Sequence, residues 1–325
     1  MTLTVALFLV VAGLVLLAGG GEALVRAATT LATLAGVSPA VIGLTVVAIG
    51  TSLPELVVSI IAVRGGQPDL AIANVVGSNI FNIAATLGLT ALLIPLPVHG
   101  AAVRLEWPVM FAASGLLMLV ARDGAVGTVD GVGFLVGLVL FIVYTVRVAR
   151  RDLSAAEEHT LATEVESRDI DSATGGQPGL LVPLAVLAAG VVALVVGGRL
   201  LVDGAVSLAR LAGMSERVIG LTIVAGGTGA PELATSLMAA YRRRTDIAIA
   251  NMIGSNIFNV LGILGIAALV QPIPVSNEML TIDLWWMLGT ALLLLPLLYS
   301  GKRLSRIEGA LLVAAYGTYL VILLR

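Results

Sequence analysis

Ten stretches of this chain are apolar over about the thickness of a bilayer, and this leaves very few folds open to it. They fall near residues 3–25, 39–63, 69–94, 105–122, 126–149, 180–206, 216–240, 246–270, 279–299 and 305–324. A bilayer core is crossed by about 20 apolar residues of helix. Lipid offers no partner for an unpaired N–H or C=O, so runs of this length must be helices. Only 12% of the residues are charged, and mean hydropathy is +1.07; a soluble domain carries about 25% charge. The expected fold class is an all-α membrane protein with ten transmembrane helices.

Composition removes several functions. There is no cysteine, so no disulfide framework and no thiolate metal centre. A net charge of −2 is no basis for a nucleic-acid surface. His99 and His159 lie outside the apolar runs and read as loop residues, not metal ligands. The first 20 residues lack the basic start of a cleaved signal peptide and read as the first span. Residues 150–178 carry Glu157, Glu158, Glu164, Glu166, Asp169 and Asp171 and end in Gly-Gly-Gln-Pro. No EF-hand spacing is present there, and the segment reads as a flexible cytoplasmic linker.

The chain is also a duplication. GLTVVAIGTSLPELVVSI (Gly43–Ile60) returns as GLTIVAGGTGAPELATSL (Gly220–Leu237), and IANVVGSNIFN (Ile72–Asn82) as IANMIGSNIFN (Ile249–Asn259). One offset of 177 pairs Glu55 with Glu232, Asn74 with Asn251, Pro95 with Pro272, Pro97 with Pro274 and Glu106 with Asp283. Chance does not hold one register over some 80 residues. The halves are 1–149 and 179–325, each of five spans, with motifs at 43–82 and 220–259. Five is odd, so a simple linker turns the second copy upside down. Basic residues mark cytoplasmic loops. With the N-terminus outside, twelve Lys and Arg fall on the cytoplasmic side and five outside, while Arg199 lies within a span. The expectation is two inverted-topology five-helix repeats in the inner (plasma) membrane, with both termini outside.

Each motif buries a glutamate just after a proline. An ionisable side chain at mid-membrane costs about 2.5–3.5 kcal/mol on insertion scales, which marks a functional position. Thr51, Ser52 and Glu55 share a helix face, as do Ser78 and Asn82. Oxygen-rich faces suit Ca²⁺, which takes about six to eight oxygen ligands. Pro54 and Pro231 cannot bond the carbonyls of Gly50 and Gly227. Freed carbonyls in broken helices coordinate ions in transporters with inverted repeats. Small polar residues also serve helix packing, so the duplicated combination carries the argument. Glu22, Arg26, Arg199 and Asp203 read as interface or inter-helix pairs, and Glu106 and Asp283 as headgroup-level residues.

GTSLPE with GSNIFN, and GGTGAPE with GSNIFN again, resemble the two α-repeats of the Ca²⁺/cation antiporter superfamily, in its prokaryotic sodium/calcium exchanger branch. The resemblance implies ion sites on the second, third, seventh and eighth helices, with the first and sixth sliding to alternate access. It implies Ca²⁺ ligands from the Glu55 and Glu232 carboxylates and the Thr51 and Thr228 backbone oxygens. Flanking Na⁺ sites would use Ser52, Ser78 and the Ala48 carbonyl on one side, and Ser255 and the Ala225 carbonyl on the other. Asn82 and Asn259 would complete the middle. Two departures stand out. Gly229 occupies the position of Ser52, and relatives often have aspartate where this chain has Asn259.

The resulting expectation is a secondary antiporter exchanging Ca²⁺ for Na⁺, without cofactor or enzymatic activity. Its partners are the two ions and the bilayer, and a monomer suffices. Two carboxylates balance one Ca²⁺, whereas three Na⁺ leave an uncompensated charge in a dry site. Exchange of Ca²⁺ for H⁺ on the same scaffold is the alternative, since paired buried carboxylates readily take up protons. A channel fits less well, because a closed midplane site suits tight alternating binding. An enzyme fits least: there is no HExxH motif and no nucleophile–base pair.

Overall fold

The computed structural model describes residues 2–98, 102–152, 179–213, 225–299 and 303–323. Most of the acidic linker, both histidines and residues 220–224 of the second motif lie outside the described residues. The chain is mostly helical. The helices are α1 (Leu3–Ala35), α2 (Pro39–Thr51), α3 (Leu53–Arg64), α4 (Pro68–Leu93), α5 (Arg104–Asp123), α6 (Thr128–Asp152), α7 (Leu181–Leu211), α8 (Ala225–Thr228), α9 (Ala230–Tyr241), α10 (Thr245–Val270), α11 (Met279–Tyr299) and α12 (Arg306–Leu323). Eight of them are long and apolar enough to cross a membrane, and α2 with α3, bent by 42°, makes a ninth span. The expected span at 216–240 begins outside the described residues and continues as α8 and α9.

Helix lengths follow from what stops each run. Arg26 does not end α1, which continues to a left-handed Gly36 (φ 61°) whose N–H caps the Ala32 and Thr33 carbonyls. At about 1.5 Å per residue, α1 is longer than the hydrocarbon is thick and must tilt. α4 and α10 carry the GSNIFN segments and are the most buried helices. The outer helices present Phe8, Val129 and Leu181 outward, as lipid contact requires. Met110, Leu117, Leu284, Met287 and Leu294, on α5 and α11, close the core around α4 and α10.

Contacts between the halves are reciprocal. α1 and α7 cross antiparallel through glycines. A Cβ at Gly13 would lie 2.8 Å from the Gly197 carbonyl oxygen, and one at Gly20 would lie 2.9 Å from that of Gly190. Gly13 and Gly190, like Gly20 and Gly197, are equivalent positions at the 177 offset. Backbones come this close in membranes only where side chains are small. The same exchange recurs in two short antiparallel pairs. β1 (Leu96–Pro97) pairs with β4 (Arg303–Leu304), and β2 (Ala125–Val126) with β3 (Ile273–Pro274). Equivalent residues in the two pairs fall within one position of the same offset.

Candidate cation site

The two proline motifs break their helices alike. α2 ends at Thr51 and α3 starts at Leu53, with Ser52 at φ −84°, ψ 8°. α8 ends at Thr228 and α9 starts at Ala230, with Gly229 at φ −82°, ψ 6°. Pro54 and Pro231 sit in the first turn after each break, where a missing N–H costs nothing. Glu55 and Glu232 occupy those same first turns, where the positive helix end favours a carboxylate. Each glutamate is only 1% exposed.

The surrounding side chains supply oxygen. Ser52 Oγ donates to Glu232 Oε1 at 3.2 Å, crossing from one half to the other. Thr51 Oγ1 lies 3.3 Å from the Ala48 carbonyl and 3.4 Å from Asn251 Oδ1. Ser255 Oγ approaches the Ala48 carbonyl at 3.5 Å, so the structure joins groups that the sequence reading assigned to opposite flanks. Ser78, Asn82, Ser255 and Asn259 are all buried, and Thr228 is half-buried. Ala225 falls on the first turn of α8.

Four asparagines tie α4 to α10. Asn79 Nδ2 donates to the Asn256 carbonyl, and Asn256 Nδ2 to the Asn79 carbonyl, both at 3.2 Å. Asn82 Nδ2 reaches Asn256 Oδ1 at 3.2 Å, and Asn259 Nδ2 reaches Asn79 Oδ1 at 3.0 Å. Even the sulfur contacts swap: Asn79 with Met287, Asn256 with Met110, each at 3.7 Å. Asn74 Nδ2 bonds the Glu55 carbonyl at 3.1 Å and Ser59 Oγ at 3.0 Å, bracing α3 against α4. The helices carry π-type turns just beyond, at Phe81–Leu87 and Asn259–Leu264, a distortion common at functional sites. Sequence reasoning gave Asn79, Asn256 and Ser59 no role, although all three are in the doubled motifs.

Glu55 Oε2, Glu232 Oε2 and Asn259 Oδ1 are among the buried oxygens that accept no hydrogen bond from the described residues. Neither carboxylate is ion-paired among those residues. Lone pairs left bare at such depth are costly, and a cation satisfies them. No cluster of three His, Cys, Asp or Glu side chains exists among the described residues. The remaining ligands would therefore be hydroxyl, amide and carbonyl oxygens, the hard donor set that Ca²⁺ and Na⁺ accept.

The surroundings are closed on one side and open on the other. α1 lies along α9, where a Cβ at Gly21 would meet the Ala234 carbonyl oxygen at 3.2 Å. Glu22 of α1 pairs there with Arg26 and, at 2.7 Å, with Arg242 Nε, the inter-helix pairing expected for it. The equivalent elements of the other half, α7 and α3, are instead separated by a pocket of about 160 Å³. Pro54, Val58, Arg199, Asp203, Thr228 and Pro231 are among its lining residues. Glu106, expected at headgroup level, is only 4% exposed and buried within the protein. Asp283 accepts a 3.0 Å hydrogen bond from Tyr319.

The sequence profile described as sodium/calcium exchanger protein matches residues 5–149 and 182–325. CaxA of Alkalimonas amylolytica is 37% identical over 318 residues, covering 97% of each chain. The sodium/calcium exchanger MaX1 of Methanosarcina acetivorans is 30% identical, covering 99% of each. Among solved structures, the sodium-calcium exchanger NCX_Mj superposes with a TM-score of 0.82 at 30% identity, over 99% of this chain and 100% of that one.

Proposed function

The chain belongs to the sodium/calcium exchanger protein family, within the prokaryotic branch of the Ca²⁺/cation antiporters, and on that premise we propose that it exchanges Ca²⁺ for Na⁺ through a site built on Glu55 and Glu232. It is a multi-pass membrane transporter and not an enzyme. The observation that carries the reading is the pair of buried carboxylates with bare oxygens, each in the first turn after a helix break, with Ser52 of one half donating to Glu232 of the other. Ca²⁺ binds both carboxylates, with Thr51 and Thr228 backbone oxygens beside them. Ser52, Ser78 and the Ala48 carbonyl serve Na⁺ on one flank; Ser255, which approaches the Ala48 carbonyl, and the Ala225 carbonyl line the other, with Asn82 and Asn259 between.

The architecture we propose is ten transmembrane helices in two inverted repeats joined by the acidic linker, in the inner membrane with both termini outside. The reciprocal asparagine contacts and the antiparallel glycine crossing of α1 and α7 support it. In that orientation the pocket beside Pro54 and Thr228 opens outward, and the Glu22–Arg242 pairing closes the cytoplasmic path. α1 and α7 alternate access by moving across the core. The test is ⁴⁵Ca²⁺ uptake into proteoliposomes under an imposed Na⁺ or pH gradient. Na⁺-driven uptake is expected; uptake driven equally by a pH gradient without Na⁺ overturns the sodium assignment in favour of H⁺.

A further inference from the structure

The two halves differ at one corner of the site, and the difference is built by three side chains. At Ser52 the first half places a hydroxyl on Glu232. The equivalent residue, Gly229, has no side chain to offer Glu55, and the space is already taken. A Cβ at Gly229 would lie 2.4 Å from Phe81 Cε1 and 2.5 Å from its Cδ1. The ring is held edge-on to Tyr316, with centroids 5.5 Å apart.

The equivalent phenylalanine, Phe258, takes a different course. Its ring lies over Gly262, where a Cβ would come within 2.6 Å of Cδ2 and Cε2. The residue equivalent to Gly262 is Ala85, whose methyl stands where that ring would have to go. Each ring therefore rests on one glycine, both of them in the second half: Phe81 on Gly229 and Phe258 on Gly262. Gly262 receives Phe258 in the half-pair that keeps the Ser52 hydroxyl. Ala85 denies Phe81 the matching pose, and the ring turns onto Gly229.

We infer that Phe81, seated on Gly229 by Ala85, is a specificity-determining residue that removes one counter-ion position, so that the exchanger moves two monovalent ions per Ca²⁺ without net charge. The inference rests on the exchange reading above and deepens it. A Na⁺ site needs several oxygens at contact distance, and an aromatic edge in place of a hydroxyl supplies none. Charge points the same way: two carboxylates neutralise one Ca²⁺ or two Na⁺, and Asn82 and Asn259 add no third negative charge. A third Na⁺ would leave a net positive charge in a site shielded from water. Two positive charges then cross in each direction, and the cycle is blind to voltage.

The experiment measures counter-ion cooperativity and voltage dependence in proteoliposomes clamped with K⁺ and valinomycin. Wild-type exchange is expected to be unchanged by an imposed potential, with a Hill coefficient for Na⁺ no greater than two. Gly229→Ser alone is expected to lose thermal stability and transport, because its side chain meets the ring. Ala85→Gly/Gly229→Ser is expected to regain both, to respond to voltage, and to show a steeper Na⁺ dependence. Voltage-driven exchange by the wild type overturns the inference whatever the variants do. So does a stable, active Gly229→Ser with wild-type kinetics, or a folded double variant that stays voltage-blind. If exchange runs on a pH gradient without Na⁺, the sodium reading fails by itself. The same voltage and cooperativity measurements then decide the two-ion inference on H⁺.

Discussion

Removing the Ser52 hydroxyl tests the link between the halves at the proposed cation site. Ser52→Ala deletes the 3.2 Å donation to Glu232 Oε1 and adds no bulk. Glu232 is 1% exposed and its other oxygen already lacks a donor, so the variant removes a hydroxyl partner that solvent cannot replace. A hydrogen bond to a charged group contributes about 1.5–3 kcal/mol. At 3.2 Å this one is long for O–H···O, which argues for the lower end, about 1.5 kcal/mol. That is about tenfold in an equilibrium constant. Without the hydroxyl the carboxylate is no longer held in one orientation, and Ca²⁺ must bind a site that is less well ordered. The expected result is a roughly tenfold rise in half-saturating Ca²⁺ with little change in maximal rate, read from initial ⁴⁵Ca²⁺ uptake. Circular dichroism and a thermal melt check that the fold is intact. Unchanged half-saturating Ca²⁺ in a folded, fully active Ser52→Ala protein would refute the reasoning, because the bridge would then have no part in cation binding.

Other outcomes follow from the same geometry. Glu55→Gln and Glu232→Gln should each abolish Ca²⁺ transport while leaving the protein folded; two active variants would place the site elsewhere. Asn256→Ala breaks the bond given to the Asn79 carbonyl and the one accepted from Asn82 Nδ2, while the backbone carbonyl that accepts from Asn79 remains. Unsatisfied buried groups cost about 1–3 kcal/mol each, so a clear fall in melting temperature in detergent is expected. Gly20→Leu forces a side chain into the Gly190 backbone, and overpacking of about 1–3 kcal/mol or more should lower stability and stop transport. Arg242→Ala removes a partly exposed partner of Glu22, a bond of about 1 kcal/mol or less. Its expected signature is faster labelling of a cysteine placed at Ala234, with melting temperature nearly unchanged.

Much of this was legible in the chain because lipid enforces a simple grammar. Apolar runs gave the helices, and the repeated prolines located both breaks, since a residue without an N–H cannot continue the ladder. The carboxylates were conspicuous because burying them is expensive. What the sequence hid was which half each side chain serves. Ser52 sits four residues after Ala48, at the break between α2 and α3, yet its hydroxyl reaches Glu232, while the Ala48 carbonyl is met by Ser255. Such crossings depend on how two helices meet, which a one-dimensional reading of faces does not contain. Asn79 and Asn256 were overlooked for the same reason: their bonds join residues 177 positions apart. The role of Phe81 was further out of reach, because a glycine's importance there depends on a ring from the other half.

The glycine crossing of α1 and α7 has a mechanical meaning. Gly13 against Gly197 and Gly20 against Gly190 leave the two backbones in direct contact, with no side chain between them to act as a cushion. In the exchange cycle we propose, two rods joined at two points shift as a pair, so drawing α7 onto α3 would lift α1 off α9. Such a joint would keep the two sides of the site from standing open together.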